Sequence, residues 1–187
     1  MKSVGMTTSY DRERLIELIK THALQFGNFT LASGKQASFY LDCRKLTLHP
    51  LGANQIAAGM LALLGNPPPQ AIGGMAIGAD PISAATITLA GQQGLNLMAF
   101  IVRKEAKQHG TGRQVEGPVE PGMTAVICED VVTSGGSALK AVDAAREFGL
   151  KVNKILAVVD RLEGGRETIE AAGLELETLV TVRDLGI

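Results

Sequence analysis

The spacing of hydrophobic positions changes along this chain. Over residues 11–26 the apolar positions recur three and four places apart, from Leu15 to Phe26, and this period predicts an amphipathic helix. From residue 71 onward, short runs of consecutive apolar residues alternate with stretches of helical character. This part of the chain therefore predicts strands that alternate with helices.

Turn and cap residues set the limits of the predicted elements. Gly27 ends the first helix, Pro50 begins the second, and the prolines at 67–69 form an extended connector. The predicted helices are residues 11–26, 50–64, 82–93, 137–148 and 166–172. The predicted strands are residues 29–32, 38–42, 71–77, 96–102, 124–128, 154–159 and 176–182.

Short apolar runs separated by helices are typical of βαβ units, in which a mostly parallel sheet is covered by helices on both faces. We therefore expect an α/β fold. The sequence contains neither an internal repeat nor a linker, and its length suits one domain, so we expect residues 1–187 to form a single domain. The polar interval 103–122 is longer than an ordinary connection, which indicates a functional loop.

Composition excludes several classes of protein. The chain has 187 residues, 45% of them hydrophobic, with 18 Lys and Arg against 19 Asp and Glu. It is too apolar for a disordered protein, and its charge balance does not provide a general basic face for nucleic acid. Aromatic residues make up only 4%, which argues against base-stacking platforms. We expect no nucleic-acid partner.

The cysteines and the apolar segments indicate the cellular compartment. Cys43 and Cys128 lie far apart and outside any paired motif, so we expect reduced thiols and a cytoplasmic protein. The first residues lack the apolar segment of a signal peptide. The longest apolar stretch, residues 71–79, is shorter than the roughly 20 residues that span a bilayer. We expect no contact with membranes.

The most informative stretch is a strand, a turn and a helix around residues 124–137. The strand brings Glu129 and Asp130 to its carboxyl end, where ligands bind in open α/β sheets. Gly135 and Gly136 then allow a phosphate to approach the start of a helix, whose free N–H groups favour anions. Carboxylates repel a phosphate but accept hydrogen bonds from ribose hydroxyls, so the stretch indicates a ribose 5-phosphate site. The alternative is an ordinary turn whose hydroxyls cap the helix.

Residues 129–137 resemble the phosphoribosyl pyrophosphate signature of the type I phosphoribosyltransferases. That resemblance implies a mostly parallel central sheet flanked by helices, with a small N-terminal hood and a mobile basic loop. It implies binding of phosphoribosyl pyrophosphate by Glu129, Asp130, Val131, Val132, Thr133, Ser134, Gly135, Gly136 and Ser137. The signature does not identify the base.

A second feature is the concentration of cations in the polar interval. The basic or potentially basic residues there are Arg103, Lys104, Lys107, His109 and Arg113. Few apolar anchors and two glycines accompany them, so we expect a mobile loop that closes over a pyrophosphate and excludes water. The alternative is a solvated surface loop.

The basic loop resembles the catalytic loop of the orotate phosphoribosyltransferases in its pattern Arg-Lys-Glu-Ala-Lys-x-His-Gly-x-Gly. Further matches are Phe29-Thr-Leu-Ala-Ser-Gly, Tyr40-Leu-Asp-Cys-Arg44 and Asp160-Arg161-Leu-Glu-Gly-Gly, so the resemblance covers about residues 26–165. It implies transfer of ribose 5-phosphate from phosphoribosyl pyrophosphate to orotate in pyrimidine biosynthesis. The alternatives are another base, or a nucleotide-sensing regulator with the same fold.

The resemblance also assigns roles. It implies that Arg103, Lys104, Lys107 and His109 contact the pyrophosphate, and that Thr133 and Arg161 contact orotate. Lys107 would stabilise the leaving group, and Asp130 would orient the ribose. It further implies a homodimer whose basic loop reaches the neighbouring site, and Mg²⁺ held mainly through the substrate rather than by direct protein ligands.

Arg161 also has a case that is independent of the resemblance. It follows an apolar strand, and a guanidinium matches a carboxylate such as that of orotate in two hydrogen bonds. The alternative is a surface salt bridge with Glu163.

Two positions depart from much of the family. Ala32 stands where many members have a lysine near the substrate, and Lys35 is a weak replacement. Residues 78–81, Gly-Ala-Asp-Pro, stand where many members carry Tyr-Lys-Gly. A lysine that contacts pyrophosphate is therefore missing, and Asp80 cannot replace it directly.

Overall fold

A computed structural model of the protein describes residues 9–30, 36–105 and 114–187. The strands are β1 (Leu24–Thr30), β2 (Gln36–Leu41), β3 (Ala71–Met75), β4 (Met98–Val102), β5 (Val115–Glu116), β6 (Thr124–Val132), β7 (Lys151–Asp160) and β8 (Glu175–Thr181). The helices are α1 (Arg12–Leu18), α2 (Arg44–Thr47), α3 (Pro50–Leu63), α4 (Ala79–Gln92), α5 (Gly136–Phe148) and α6 (Gly165–Ala171). A short 3₁₀ helix, Val182–Leu185, follows β8.

The first predicted helix is wrong at its C-terminal end. Asp11 caps α1 by accepting a hydrogen bond from the Arg14 amide at 2.9 Å, but the helix becomes π-helical at Ile19–Ala23 and β1 begins directly afterwards. Phe26 thus lies on a strand, with 71% of its surface exposed, rather than on a buried helix face. The helical period continues into β1, and only pairing with β2 decides the conformation there.

β1 and β2 form a small antiparallel sheet of their own, which we call the hood. Its register pairs Leu24 with Leu41 and Phe26 with Phe39. The predicted strand at 38–42 is confirmed in β2, whereas the strand predicted at 29–32 begins much earlier, at Leu24. The hood brings the residues that follow β2 beside the main sheet.

The main sheet has six strands in the order β5-β4-β3-β6-β7-β8. All neighbours pair in parallel except β4 and β5. This arrangement confirms the expected mostly parallel α/β fold. The sequence does not predict β5, because a strand of two residues within the polar interval is too short to show an alternation of apolar and polar positions.

Both faces of the sheet are buried, as the continuous apolar runs predicted. On β6, Val126 and Cys128 pack into the core on one side, together with residues of α3 and α4. Ala125 and Ile127 alternate with them and pack on the other side, against α5. Successive side chains of a strand point to opposite faces of the sheet. Because both faces are covered here, residues 125–128 are all apolar.

Burial also accounts for the cysteines. Cys43 and Cys128 are free and buried, in agreement with the expected reduced thiols. Removal from water raises the pKa of the Cys128 thiol, so it behaves as a small core residue. Within the described ranges, none of the helices combines the length and apolar character needed to cross a membrane.

Candidate functional site

The turn between β6 and α5 encloses a cavity of about 210 Å³, which we call the cradle cavity. Its lining residues are Glu129, Val131, Val132, Thr133, Ser134, Gly135, Gly136, Ser137 and Ala138. Gly135 adopts φ +81°, and a Cβ there would lie 3.1 Å from the Gly165 carbonyl oxygen, so both conformation and space require glycine. Gly135 is the N-cap residue of α5, and within the described residues no side-chain hydrogen bond caps this helix. Its first N–H groups are therefore available to an anion.

The two adjacent carboxylates lie within β6 itself, because the strand continues to Val132. Asp130 accepts a hydrogen bond from the Val131 amide at 2.9 Å. Glu129 is 7% exposed, and its Oε2 atom is buried without a hydrogen-bond partner in the described part of the chain. Burial first, and then the neighbouring Asp130 carboxylate, raise the pKa of Glu129 to about 8. A buried carboxyl oxygen without a partner indicates a position prepared for a ligand.

A second cavity of about 360 Å³ adjoins the same residues, and we call it the edge cavity because it lies along the carboxyl ends of the parallel strands. It is lined by Tyr40, Leu41, Asp42, Cys43, Arg44, Met75, Ala76, Ile77, Gly78, Lys104, Glu129, Asp130, Val131, Thr133, Ser137 and Arg161. Glu129, Val131, Thr133 and Ser137 line both cavities. The strand order explains why residues from distant parts of the chain line this cavity. β6 lies between β3 and β7, and β4 lies beyond β3.

Arg161 forms the salt bridge with Glu163 that the sequence left open as one interpretation, and it also lines the edge cavity. Its Nη2 atom lies 2.7 Å from Glu163 Oε1, and only 12% of its side chain is exposed. The guanidinium also stands 4.9 Å from the ring centroid of Phe39 in the hood. Its Nε atom is buried and has no partner among the described residues. The salt bridge therefore leaves other donors of this cavity-lining guanidinium, Nε among them, without a partner in the described chain.

The structure separates the two described cations of the basic loop. Lys104 lines the edge cavity. Arg103 instead pairs through Nε with Glu116 Oε1 at 3.0 Å. The antiparallel register pairs Glu116 with Ile101, two residues before Arg103, so the two side chains lie diagonally across the strands. Arg103 lines neither cavity. Lys107, His109 and Arg113 lie outside the described residues, as do Ala32 and Lys35.

Two groups of cavity residues received no role from the sequence. One is the segment after the hood, with Asp42 and Arg44, and the other is the turn after β3, residues 76–78. The pattern from Tyr40 to Arg44 was a signal for the first group, but its position opposite β6 depends on tertiary packing. Asp80 does not line the edge cavity, and burial raises its pKa.

The raised pKa of Glu129 has a measurable consequence for stability. Folded Glu129 keeps its proton between about pH 4.5 and pH 8, whereas the unfolded chain loses it, so this group lowers stability as pH rises through that window. We expect Glu129→Gln to remove the effect. Its Tm should exceed that of the wild type by a margin that grows by about 3 °C or more between pH 5 and pH 8.5.

The control for this measurement is Glu120→Gln, which changes an exposed carboxylate away from both cavities. Differential scanning calorimetry across the pH range gives the comparison. A Tm difference between Glu129→Gln and wild type that stays constant from pH 5 to pH 8.5 would show that Glu129 ionises normally in the folded protein.

Comparison with known proteins agrees with this geometry. Residues 83–173, which include β6, the turn and α5, match the model of the phosphoribosyl transferase domain family. The chain is 58% identical over 183 residues to the orotate phosphoribosyltransferase of Rhodopirellula baltica, and the match covers 95% of each chain.

Solved structures give the same result. Orotate phosphoribosyltransferase of Mycobacterium tuberculosis H37Rv, in complex with Fe(III) dicitrate, superimposes with a TM-score of 0.84 at 38% identity over 94% of this chain and 99% of that one. The complex of the Mycobacterium tuberculosis enzyme with 5-phospho-α-D-ribosyl 1-diphosphate superimposes with a TM-score of 0.80 at 34% identity, over 94% of this chain and 99% of that one. From its fold, its cavities and these relatives, the chain belongs to the orotate phosphoribosyltransferase family.

Proposed function

We propose that this protein transfers the ribose 5-phosphate group of phosphoribosyl pyrophosphate to orotate, giving orotidine 5′-phosphate and pyrophosphate in pyrimidine biosynthesis. One observation carries the proposal: the edge cavity joins the carboxylates of β6, the start of α5, Lys104 and Arg161 in one continuous space. A phosphosugar, a pyrophosphate and an anionic base each find groups of suitable charge there. Membership of the family supports the same reaction.

The cradle cavity suits the 5′-phosphate. Hydroxyls of Thr133, Ser134 and Ser137 and the amides of Gly135 and Gly136 supply donors around it. Val131 and Val132 form its wall. Glu129 and Asp130 accept hydrogen bonds from the ribose hydroxyls, and ligand binding gives the buried Glu129 Oε2 atom the partner that it lacks among the described residues.

Orotate lies beside Arg161 in this proposal. The guanidinium, already held by Glu163 and Phe39, presents its remaining donors to the carboxylate of the base. Thr133 lines the same cavity and contacts the base from β6. Lys35 remains a weak candidate for a further contact.

Bond breaking requires stabilisation of two charges. As the bond from the anomeric carbon to the pyrophosphate oxygen breaks, that oxygen gains negative charge and the ribose ring becomes positive. Lys107 stabilises the leaving group, assisted by Lys104 and His109, and the carboxylate of Asp130 opposes the charge on the ring. Arg103 reaches the pyrophosphate only after its ion pair with Glu116 opens. The N1 nitrogen of orotate then attacks the anomeric carbon and loses its proton to water, while the electron pair of the broken carbon–oxygen bond leaves with pyrophosphate.

Mg²⁺ is the proposed cofactor, and the donor set of the site is compatible with it. The available protein ligands are hard carboxylate oxygens, those of Glu129 and Asp130, of which Glu129 Oε2 has no partner in the described chain. The described residues contain no cluster of three or more His, Cys, Asp or Glu that could hold a metal ion. Magnesium keeps several waters and often binds through substrate phosphates. When bound, it neutralises charge on the pyrophosphate.

We further propose a homodimer in which the basic loop of one subunit closes over the site of the other. The described cations support this arrangement, because only Lys104 of the pair Arg103 and Lys104 lines the cavity of its own chain. The reduced, buried cysteines support a cytoplasmic location.

The reaction is tested directly by incubating the protein with phosphoribosyl pyrophosphate, Mg²⁺ and orotate while the ultraviolet absorbance of orotate is followed. We expect turnover with orotate that stops when EDTA removes the metal. Turnover with adenine, hypoxanthine or uracil, but not with orotate, would assign the protein to another base.

Arg161 is tested by Arg161→Lys, which keeps the charge but loses the planar pair of donors. Loss of one charge-assisted hydrogen bond should raise the KM for orotate by about tenfold or more, with the KM for phosphoribosyl pyrophosphate nearly unchanged. The matched control is Arg183→Lys, which alters an exposed arginine outside both cavities. If Arg161→Lys changes only the Tm, its function is the salt bridge with Glu163.

Lys107 and the shared loop are tested together. Lys107→Ala should lower kcat by about 10²–10³, as expected for the loss of one transition-state contact. Coexpression of Lys107→Ala and Asp130→Asn chains with different tags gives mixed dimers in which one site keeps both native residues. We expect these dimers to regain activity that neither variant has alone. Inactive mixed dimers would place the loop in the site of its own chain, and a normal kcat for Lys107→Ala would exclude its proposed role.

A further inference from the structure

Arg44 is a cation of the edge cavity that has no assigned role. It is the first residue of α2, directly after the hood, and it lines the cavity opposite β6. About half of its side chain, 52%, is exposed. Within the described residues, three cationic side chains line this cavity: Arg44, Lys104 and Arg161.

The Arg44 side chain is held in place by a neighbouring carboxylate. Its Nε atom donates to Asp42 Oδ1 at 2.8 Å, and its backbone amide donates to the same oxygen at 3.3 Å. The arginine in turn lowers the pKa of Asp42, so this pair stays ionised near neutral pH. Within the described chain, the hydrogen bond uses Nε and leaves the two terminal amino groups of the guanidinium without a hydrogen-bond partner.

The position of Arg44 relates it to the ribose carboxylates. Arg44 and Asp130 both line the edge cavity, and the pKa of Arg44 is raised first by Asp42, with a smaller contribution from Asp130. Asp130 also borders the turn after β3, since a Cβ at Gly78 would lie 3.1 Å from its Oδ1 atom. That turn, residues 76–78, contributes no charged side chain to the cavity. Arg44 therefore supplies positive charge to a part of the cavity where neither β3 nor β6 does.

Among the anionic groups of the two substrates, the pyrophosphate fits this position. The 5′-phosphate belongs to the cradle cavity, which Arg44 does not line. The orotate carboxylate lies with Arg161 beside β7. In the α anomer of phosphoribosyl pyrophosphate, the pyrophosphate on C1 projects from the same face of the ribose as the hydroxyls on C2 and C3. A cation next to the carboxylate that holds those hydroxyls is therefore close to the pyrophosphate.

We propose that Arg44, oriented by Asp42, is a pyrophosphate-binding residue of this enzyme. The inference rests on the proposed function and extends it to a segment far from the basic loop in sequence. Arg44 provides a fixed cation on the hood side of the cavity, independently of where the basic loop lies. Asp42 is a positioning residue, because it holds the guanidinium and does not itself contact the anion.

The test compares substrate constants in both directions of the reaction. Loss of a charge-assisted hydrogen bond in Arg44→Gln should raise the KM for pyrophosphate, and for phosphoribosyl pyrophosphate, by about tenfold or more. The KM values for orotate and orotidine 5′-phosphate should change by less than about threefold, well below the effect of such a bond. Arg44→Lys should recover part of the loss. Asp42→Asn should raise the same two constants, and adding it to Arg44→Gln should cause little further change.

Lys45→Gln is the matched control. Lys45 is the next residue of α2, is exposed, and lines neither cavity, so its loss changes the net charge equally. If Lys45→Gln raises the KM for pyrophosphate as much as Arg44→Gln does, the effect comes from the overall positive charge of this surface, and the assignment to Arg44 is wrong. A rise confined to the KM for orotate would also contradict it, and so would unchanged constants.

A binding measurement separates this inference from the proposed function. Titration calorimetry of the wild type and Arg44→Gln with pyrophosphate and Mg²⁺ requires no turnover. Tighter binding by the wild type supports the role of Arg44 even if orotate is not the base. Equal binding by correctly folded proteins, judged by equal Tm, rejects the role of Arg44 even if the wild type converts orotate.

Discussion

The parallel pairing of β6 between β3 and β7 is the constraint on which the site depends. Because the three strands run in the same direction, the segments that leave their carboxyl ends emerge at one edge of the sheet. β4 adds Lys104 at the same edge, on the far side of β3. Apolar side chains on both faces hold the strands in register, since Ile127 and Cys128 are fully buried on opposite sides of β6. The chemistry at the edge thus rests on a rigid core.

The carboxylates of β6 are separated from the cations of this edge. Two of those cations have other ion pairs, Arg44 with Asp42 and Arg161 with Glu163. Glu129 and Asp130 are adjacent in sequence on β6, and burial makes ionisation of Glu129 unfavourable in the free protein. The cations stand across the cavity, after the hood, after β4 and after β7. A ligand that carries hydroxyls at one side and anionic groups at the other satisfies both sets. This arrangement explains how a chain with a formal net charge of −1 is suited to polyanionic substrates.

Most of the fold could be predicted from local patterns. Strands buried on both faces, such as β3, β6 and β7, appear as apolar runs, and Pro50 and Gly149 mark where helices begin and end. The errors have a common cause. The helical period around Phe26 is overridden by pairing with β2, and the two residues of β5 form a strand through pairing with β4, which no local pattern shows.

The candidate site divides in the same way. The strand, turn and glycines of residues 129–137 are contiguous, so the sequence by itself determined the residues that line the cradle cavity, the carboxylate pair and the family resemblance. Only the tertiary structure decided that Arg103 pairs with Glu116 while Lys104 lines the cavity, and that Asp42 and Arg44 stand opposite β6. The chemistry of the turn at residues 129–137 depends on residues that are adjacent in the sequence, so the sequence shows it directly. Distances across a cavity depend on how the sheet and the hood pack, and no local pattern encodes them.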